Sequence, residues 1–274
     1  MKQQRDHGLD TFGFTHTPFC GPAETPYLDD SRQQILRKLE RFVHHRGFTV
    51  VSGGPGCGKT SLLHHLVGQL HPSANKVIYM PFSVLSDSDM LRALCYEMEL
   101  QPAMGKSTML RNISSRIQDI QPVNPLLILD EIQKISYQTL EVIRLMANFS
   151  FDGRNFFSVI MAGTDQFLEQ LRLRINEPLR QRITLYVRLT PFTRDDTEKY
   201  ILHHIRSAGV HHDLITAQAL NLVHDATAGI PRLINSVMLE ALYAAAENND
   251  KLLDIEHIQT ALDLVTLPTR EVQK

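Results

Sequence analysis

The fold of this chain is decided by the stretch Gly53-Gly54-Pro55-Gly56-Cys57-Gly58-Lys59-Thr60. It satisfies the pattern G-x-x-x-x-G-K followed by Ser or Thr, with an apolar strand before it and an amphipathic helix after it. In such a loop, glycines let backbone N–H groups turn inward around a phosphate, and the helix N-terminus adds its positive end. We expect Lys59 to reach the β- and γ-phosphates and Thr60 to offer its hydroxyl to Mg²⁺. The stretch therefore predicts a nucleoside triphosphate site that extends to the next residue, Ser61.

A second motif lies further along the chain, where four apolar residues, 126–129, are followed by Asp130 and Glu131. Ligand sites of open parallel sheets lie at the carboxyl ends of the strands. We expect Asp130 to hold the magnesium shell and Glu131 to orient and deprotonate the water that attacks ATP. One predicted strand, 76–80, separates the two motifs, which favours an ATPase with an inserted strand. A small-molecule kinase remains the alternative, although no acceptor pocket is identifiable.

The order of predicted elements indicates an α/β fold. Short β-rich runs alternate with helical patterns, which is typical of a parallel sheet covered by helices on both faces. The five predicted strands are 48–51, 76–80, 126–129, 157–162 and 183–189. One helix is predicted to begin at residue 31 and to be stopped by Gly47, and others are predicted at 61–70, 88–100, 108–120 and 137–149. After Pro191 the patterns are helical only, at about 195–207, 217–226, 231–246 and 255–264.

This organisation predicts four parts of the chain. They are an N-terminal extension that packs on the core (1–30), an α/β nucleotide-binding domain (31–190), a small helical lid domain (191–266) and a polar tail (267–274). The turn formers and aromatic residues of the opening, such as Phe12-Gly13-Phe14, favour a packed segment over a floppy one.

Composition limits the partners, the cellular location and the metal sites that we expect for the protein. A formal net charge of −2 over 274 residues provides no overall basic field, so nucleic-acid contacts would need a local patch. No run approaches the roughly 18 apolar residues that cross a bilayer, and the opening is too polar for a secretory signal, so we expect the cytoplasm and no membrane insertion. Three widely spaced cysteines predict free thiols, and four adjacent histidine pairs are poorly spaced to bind a metal.

The two motifs together resemble those of AAA+ ATPases. In addition, Phe12-Gly13-Phe14 with Thr17-Pro18-Phe19 resembles the opening of the ExeA/GspA-like subfamily, which is related to the transposition ATPases TniB, TnsC and MuB. The similarity runs from about Phe12 to Leu264. It implies an AAA+ core with a helical lid, ATP and Mg²⁺ as cofactors, and a homo-oligomer in the form of a ring or filament.

The resemblance assigns roles to two further motifs. The run from Val159 to Thr164 is similar to the strand that ends in sensor 1, which implies that Thr164 contacts the γ-phosphate or the attacking water. The alternative is a hydroxyl that caps the next turn. Gly229-Ile230-Pro231-Arg232 matches the G-x-P-R of sensor 2, which implies that Arg232 reaches the phosphates of its own subunit. The alternative is an ordinary surface arginine.

An arginine-rich stretch, 172–188, precedes and enters the last predicted strand. Such a run is usually a solvated face. In the family, an arginine just before this strand acts on the ATP of a neighbouring subunit, which makes Arg182 the candidate and Arg180 the second choice. If either has this role, the active site lies between subunits and the enzyme works only as an oligomer.

Three functions fit the sequence. The leading hypothesis is an ATPase that binds double-stranded DNA and recruits or activates a transposase, since the chain ends after the lid and lacks a membrane span and the peptidoglycan-binding module of secretion ATPases. DNA phosphates would be met by Lys106, Arg111 and Arg116, or by the 172–188 run. The second hypothesis is a cytoplasmic ATPase of a secretion or pilus system that acts on proteins. The third is a nucleotide switch with negligible turnover.

Overall fold

The computed structural model of the protein describes residues 7–21, 26–81, 86–146 and 155–265. It divides into two compact units. The α/β unit comprises Asp30–Pro55 and Lys59–Leu189, and the helical unit comprises Met1–Asp29, Gly56–Gly58 and Thr190–Lys274.

The α/β unit is built around a sheet that has five strands in the described residues. All paired strands are parallel, and the spatial order is β2-β3-β4-β1-β5. Every residue of β1 and β3 is buried, and because successive residues of a strand face opposite sides, both faces of the sheet are covered. The predicted parallel five-stranded α/β fold is therefore confirmed. The strands are β1 (Gly47–Gly53), β2 (Asn75–Pro81), β3 (Asn124–Asp130), β4 (Ser158–Gly163) and β5 (Ile183–Leu189).

The strand β3 begins two residues before the predicted start. The side-chain amide of Asn124 donates to the carbonyl of Val43 at 3.0 Å and to Ser158 Oγ at 3.1 Å. These long-range bonds satisfy a buried polar side chain and extend the strand across a proline, Pro125, which the local pattern had placed outside it.

Helices surround this sheet. The first buries its apolar stripe, as its helical period predicts, and most of its charged residues are exposed, although Arg32 is buried. Part of the predicted helix 137–149, namely 147–149, lies outside the described residues. The helices of the α/β unit are α1 (Asp30–His45), α2 (Lys59–Gln69), α3 (Asp87–Glu97), α4 (Lys106–Asp119), α5 (Tyr137–Met146), α6 (Asp165–Arg172) and α7 (Glu177–Arg180).

The helical unit contains the later helices, two of which begin at a threonine whose side chain caps them. The side chain of Thr216 accepts a hydrogen bond from the amide of Ala219 at the start of α9. Gly229 has a φ of 71°, and a Cβ added there would lie 2.1 Å from the carbonyl oxygen of Phe192, so only glycine fits. The helices are α8 (Arg194–Ser207), α9 (Ala217–Thr227), α10 (Pro231–Glu247) and α11 (Ile255–Val265).

The described N-terminal residues group with these helices. Phe12, Phe14 and Phe19 belong to the same buried hydrophobic cluster as residues of α8 to α11. Thr15 donates to the carbonyl of Ala208 through both its amide, at 2.9 Å, and its hydroxyl, at 3.0 Å. That residues 1–30 pack on the α/β core stays a prediction. The expected tail, 267–274, lies outside the described residues.

In the ranges that the structure describes, no helix combines the length and the apolar character that crossing a bilayer requires.

Candidate nucleotide-binding site

The glycine-rich loop connects β1 to α2. Gly56 and Gly58 have φ angles of 76° and 90°, which only glycine adopts freely. Glycine is required at position 53 for a steric reason, because a Cβ there would lie 2.8 Å from the carbonyl oxygen of Leu189 on β5. The glycines therefore set the path of the backbone at the amino end of α2, where N–H groups are available to an anion.

Lys59 is the first residue of α2 and is 5% exposed. Its ammonium donates to the carbonyl oxygens of Gly53 at 3.0 Å and Gly54 at 3.1 Å. A buried ammonium is costly unless hydrogen-bonded or neutralised, so this position favours binding of an anionic group. The geometry fits the predicted phosphate contact of Lys59.

Asp130, at the end of β3, is 2% exposed. Its Oδ2 accepts from the hydroxyl of Thr60 and from the hydroxyl of Tyr79, each at 2.6 Å. Its Oδ1 accepts from the amide of Glu131 at 2.9 Å. Burial, and then the hydrogen bond to Asp130, raise the pKa of Tyr79, so this hydroxyl stays a donor at neutral pH.

Thr60 and Asp130 fit the magnesium site that the sequence predicts. A hydroxyl and a carboxylate meet directly at the end of the glycine-rich loop, and Mg²⁺ takes oxygen ligands of this kind while keeping several waters. Asp130 forms no ion pair with the other described residues, so its carboxylate oxygens can serve as ligands of a cation.

Glu131 follows Asp130 and is exposed, with a left-handed backbone φ of 57°. The side-chain amide of Gln133 donates to Glu131 Oε2 at 2.5 Å. The same amide uses its oxygen to accept from the backbone N–H of Thr164 at 3.3 Å. Gln133 thus connects the predicted catalytic base to the end of β4.

Thr164 stands at the amino end of α6, but its side chain makes no capping hydrogen bond. Its hydroxyl is buried and has no hydrogen-bond partner among the described residues. A buried unsatisfied hydroxyl is unfavourable, and its satisfaction by a bound group would remove that cost. The geometry therefore favours the predicted contact over the capping alternative.

Arg232 lies at the start of α10, within the helical unit. Its amide donates to the carbonyl oxygen of Gly56 at 3.3 Å, and a Cβ on Gly56 would lie 2.9 Å from Arg232 Cβ. The backbone of Arg232 is therefore next to Gly56, which belongs to the same unit, while its side chain is exposed. That its guanidinium reaches phosphates stays a prediction.

The arginines of 172–188 differ in their surroundings. Arg180 forms an ion pair with Glu177 in α7, and Arg188 forms one with Asp165 at 2.6 Å. Arg182 is exposed and directly precedes β5. Its position is the one expected of an arginine that acts on a neighbour, and its role stays a prediction.

The first set of residues predicted to contact DNA lies on α4. Lys106 pairs with Asp87 at 2.5 Å, and Arg116 pairs with Glu99 at 3.3 Å. Arg111 is exposed. Two of these three cations would have to exchange an acidic partner for a phosphate.

Sequence reasoning did not identify Tyr79 and Gln133. Tyr79 lies on the strand that precedes the site, and nothing local distinguishes it from any half-buried tyrosine. A polar residue two positions after Glu131 was the only available signal for Gln133.

Comparison with known proteins concerns both sequence and fold. Residues 37–171 match the family model described as AAA domain. The chain is 29% identical over 247 residues to General secretion pathway protein A of Aeromonas hydrophila, a match that covers 84% of this chain and 45% of that relative. The chain thus spans less than half the length of that protein.

Solved structures with the same fold have far lower identity. The ORC2 protein of Aeropyrum pernix aligns with a TM-score of 0.73 at 16% identity, over 93% of this chain and 73% of that one. The ORC1 protein of the same organism, solved in complex with DNA, aligns with a TM-score of 0.66 at 16% identity, over 88% of this chain and 66% of that one.

Proposed function

We propose that this chain, whose α/β unit has the AAA+ P-loop fold and includes an AAA domain, binds ATP with Mg²⁺ and hydrolyses it. The observation that carries the proposal is the 2.6 Å hydrogen bond from Thr60 to Asp130. It joins the glycine-rich loop to the carboxylate of β3, as a shared site for metal and phosphate requires.

The roles of the residues follow from their positions. Lys59 binds the β- and γ-phosphates, and Thr60 and Asp130 hold the cation, which when bound neutralises charge that develops on the phosphates. Glu131 orients water in line with the γ-phosphate and accepts its proton, while Thr164 donates its hydroxyl to the γ-phosphate or to this water. Arg232 adds a planar cation to the phosphates.

Two variants test the reaction. Glu131→Gln is expected to retain ATP binding and to lose turnover, by roughly 10²-fold or more as expected for removal of a general base. Lys59→Ala is expected to lose binding as well. ATP binding by the wild type with turnover no faster than that of Glu131→Gln would favour the alternative of a nucleotide switch.

We further propose that the active protein is a homo-oligomer, because Arg182 has its expected role only on the ATP of a neighbouring subunit. Sedimentation with and without a non-hydrolysable ATP analogue tests this, and a monomer under both conditions would contradict it.

For the partner, we propose double-stranded DNA. The fold is also that of a protein solved in complex with DNA, although at 16% identity this likeness concerns the fold alone. The structure of α1 adds a physical reason, since Arg37, Lys38 and Arg41 are exposed within about one helical turn and form no ion pair with the described residues. Phosphates can approach these cations without displacing an acidic partner. A transposase as the recruited protein rests only on the resemblance noted for the sequence.

The second candidate is an ATPase of a secretion or pilus system whose partners are proteins. The observation that favours it is the match to General secretion pathway protein A, which covers 84% of this chain. Salt-sensitive binding to duplex DNA in the presence of an ATP analogue separates the two, because the secretion function predicts none.

The DNA experiment has a matched control. Replacing Arg37, Lys38 and Arg41 by alanine is expected to weaken binding about 10-fold or more and to reduce the slope of log K against log salt by about 3, one per phosphate contact. Replacing Lys76, Arg92 and Arg144, which are all ion-paired, removes the same charge elsewhere and is expected to change little. Equal loss in both triple variants would contradict α1 as the contact surface.

A further inference from the structure

Gln133 has both ends of its side-chain amide engaged at the candidate site. Its nitrogen donates to the Glu131 carboxylate at 2.5 Å, and its oxygen accepts from the Thr164 amide at 3.3 Å. The residue before Thr164 makes room for this arrangement, because a Cβ on Gly163 would lie 3.2 Å from Gln133 Oε1. The neighbouring Ile132 is fully buried and fixes the turn Ile132–Lys134 to the core.

Glu131 needs such support. Its side chain is exposed, so few contacts restrict it to one rotamer. Its backbone φ of 57° lies in a region where residues other than glycine are uncommon. A strained backbone at a candidate reactive residue persists when the surroundings hold it. Among the described residues, the hydrogen bond to the Glu131 carboxylate itself comes from Gln133.

We propose that Gln133 is a positioning residue that ties the Glu131 carboxylate to the backbone of Thr164. The base and the predicted contact to the γ-phosphate or water are thereby held at a constant distance from each other. This inference rests on the proposed function of Glu131 as the base for ATP hydrolysis. Gln133 itself has no contact with nucleotide in this mechanism, so it affects the rate of the chemical step and leaves ATP affinity unchanged.

The chemistry of the link requires glutamine. A glutamate at this position can accept from the Thr164 amide but, when ionised, cannot donate to Glu131. A methionine has similar length and does neither. The two substitutions therefore separate the link to Thr164 from the link to Glu131.

The experiment compares Gln133→Met and Gln133→Glu with Gln138→Met, a matched control on the exposed face of α5. Single-turnover hydrolysis and binding of a fluorescent ATP analogue are measured separately. Gln133→Met is expected to slow hydrolysis by roughly 10- to 100-fold, as small misplacements of reacting groups do. ATP affinity and KM are expected to stay within about twofold of wild type. Gln133→Glu is expected to lose at least as much, and Gln138→Met to behave as wild type.

The double variant distinguishes positioning from a general structural role. If Gln133 acts through Glu131, Gln133→Met adds no further loss to the residual rate of Glu131→Gln, whereas an independent structural defect multiplies with it. Wild-type hydrolysis by both Gln133 variants, or a loss of ATP affinity as large as the loss of rate, would overturn the inference. If Gln133→Met fails to fold, Gln133→Glu decides, since it retains the Thr164 contact. Wild-type turnover by Glu131→Gln would instead overturn the proposed function.

Discussion

Thr60 donates its hydroxyl to Asp130 across 2.6 Å, so that the end of the glycine-rich loop and the end of β3 meet at one carboxylate oxygen. Tyr79 donates to the same oxygen from β2, which pairs with β3 in parallel. Three segments of the α/β unit therefore converge on Asp130, and the position of this carboxylate depends on all of them.

Replacing Tyr79 by phenylalanine removes one of the two hydroxyls that hold Asp130. We expect a loss of about 1–2 kcal/mol in the free energy of unfolding, because a hydrogen bond to a buried carboxylate is lost. Urea denaturation measures it. Tyr137→Phe is the control, since Tyr137 is 47% exposed. An equal effect of both substitutions would show that the Tyr79 hydroxyl does not stabilise Asp130.

Gly229→Ala is expected to destabilise the protein more than Gly13→Ala. Both glycines have a positive φ, 71° and 74°, so both substitutions incur a backbone cost of about 1–2 kcal/mol. Only at Gly229 does the added Cβ also collide with backbone, at 2.1 Å from the Phe192 oxygen, whereas nothing lies within 4 Å at Gly13. Thermal unfolding of the two variants gives the difference. Equal melting temperatures would contradict the steric argument.

Arg182→Ala is expected to reduce ATP hydrolysis by roughly 10³-fold, the usual effect of losing an arginine that acts on a neighbour's ATP. Arg180→Ala is expected to reduce it much less, because Arg180 is paired with Glu177. Mixing Arg182→Ala with Glu131→Gln should restore part of the activity, since mixed oligomers contain interfaces with both groups intact. No recovery on mixing, in oligomers of normal size, would rule out action between subunits for Arg182.

The lowered pKa of the buried His204 leads us to expect that the stability of the helical unit depends on pH. Burial, and then the neighbouring charges of His203 and His16, lower its pKa from 6.5 to about 4, and its ring stacks on Phe19 with centroids 5.1 Å apart. Between those two pH values the unfolded chain binds the proton and the folded chain does not. Stability contributed by neutral His204 is therefore present above pH 6.5 and is lost as the pH falls toward 4, by roughly 3 kcal/mol in all. His204→Phe should flatten the free energy of unfolding against pH in that window, and an unchanged slope would contradict this assignment.

Much of the α/β unit was predictable because its signals are local. The spacing of glycine, lysine and threonine in Gly53–Thr60 specifies a strand, a turn and a helix start within eight residues. The apolar run before Asp130 specifies a buried strand in the same way. Helix ends also follow local rules, as the cap at Thr216 illustrates. Strand ends were less accurate, since Asn124 joins β3 through bonds to distant residues.

The sequence by itself determined the class of sheet and the residues that form the loop and the carboxylate pair, because each pattern lies within a few consecutive residues. Only the tertiary structure decided that Tyr79 supports Asp130, that Gln133 joins Glu131 to Thr164, and that the N-terminal aromatic residues pack with the helices. These relationships are made by hydrogen bonds and apolar burial between segments far apart in the chain. Their partners are chosen by the packing of the whole unit, which no local spacing of residues encodes.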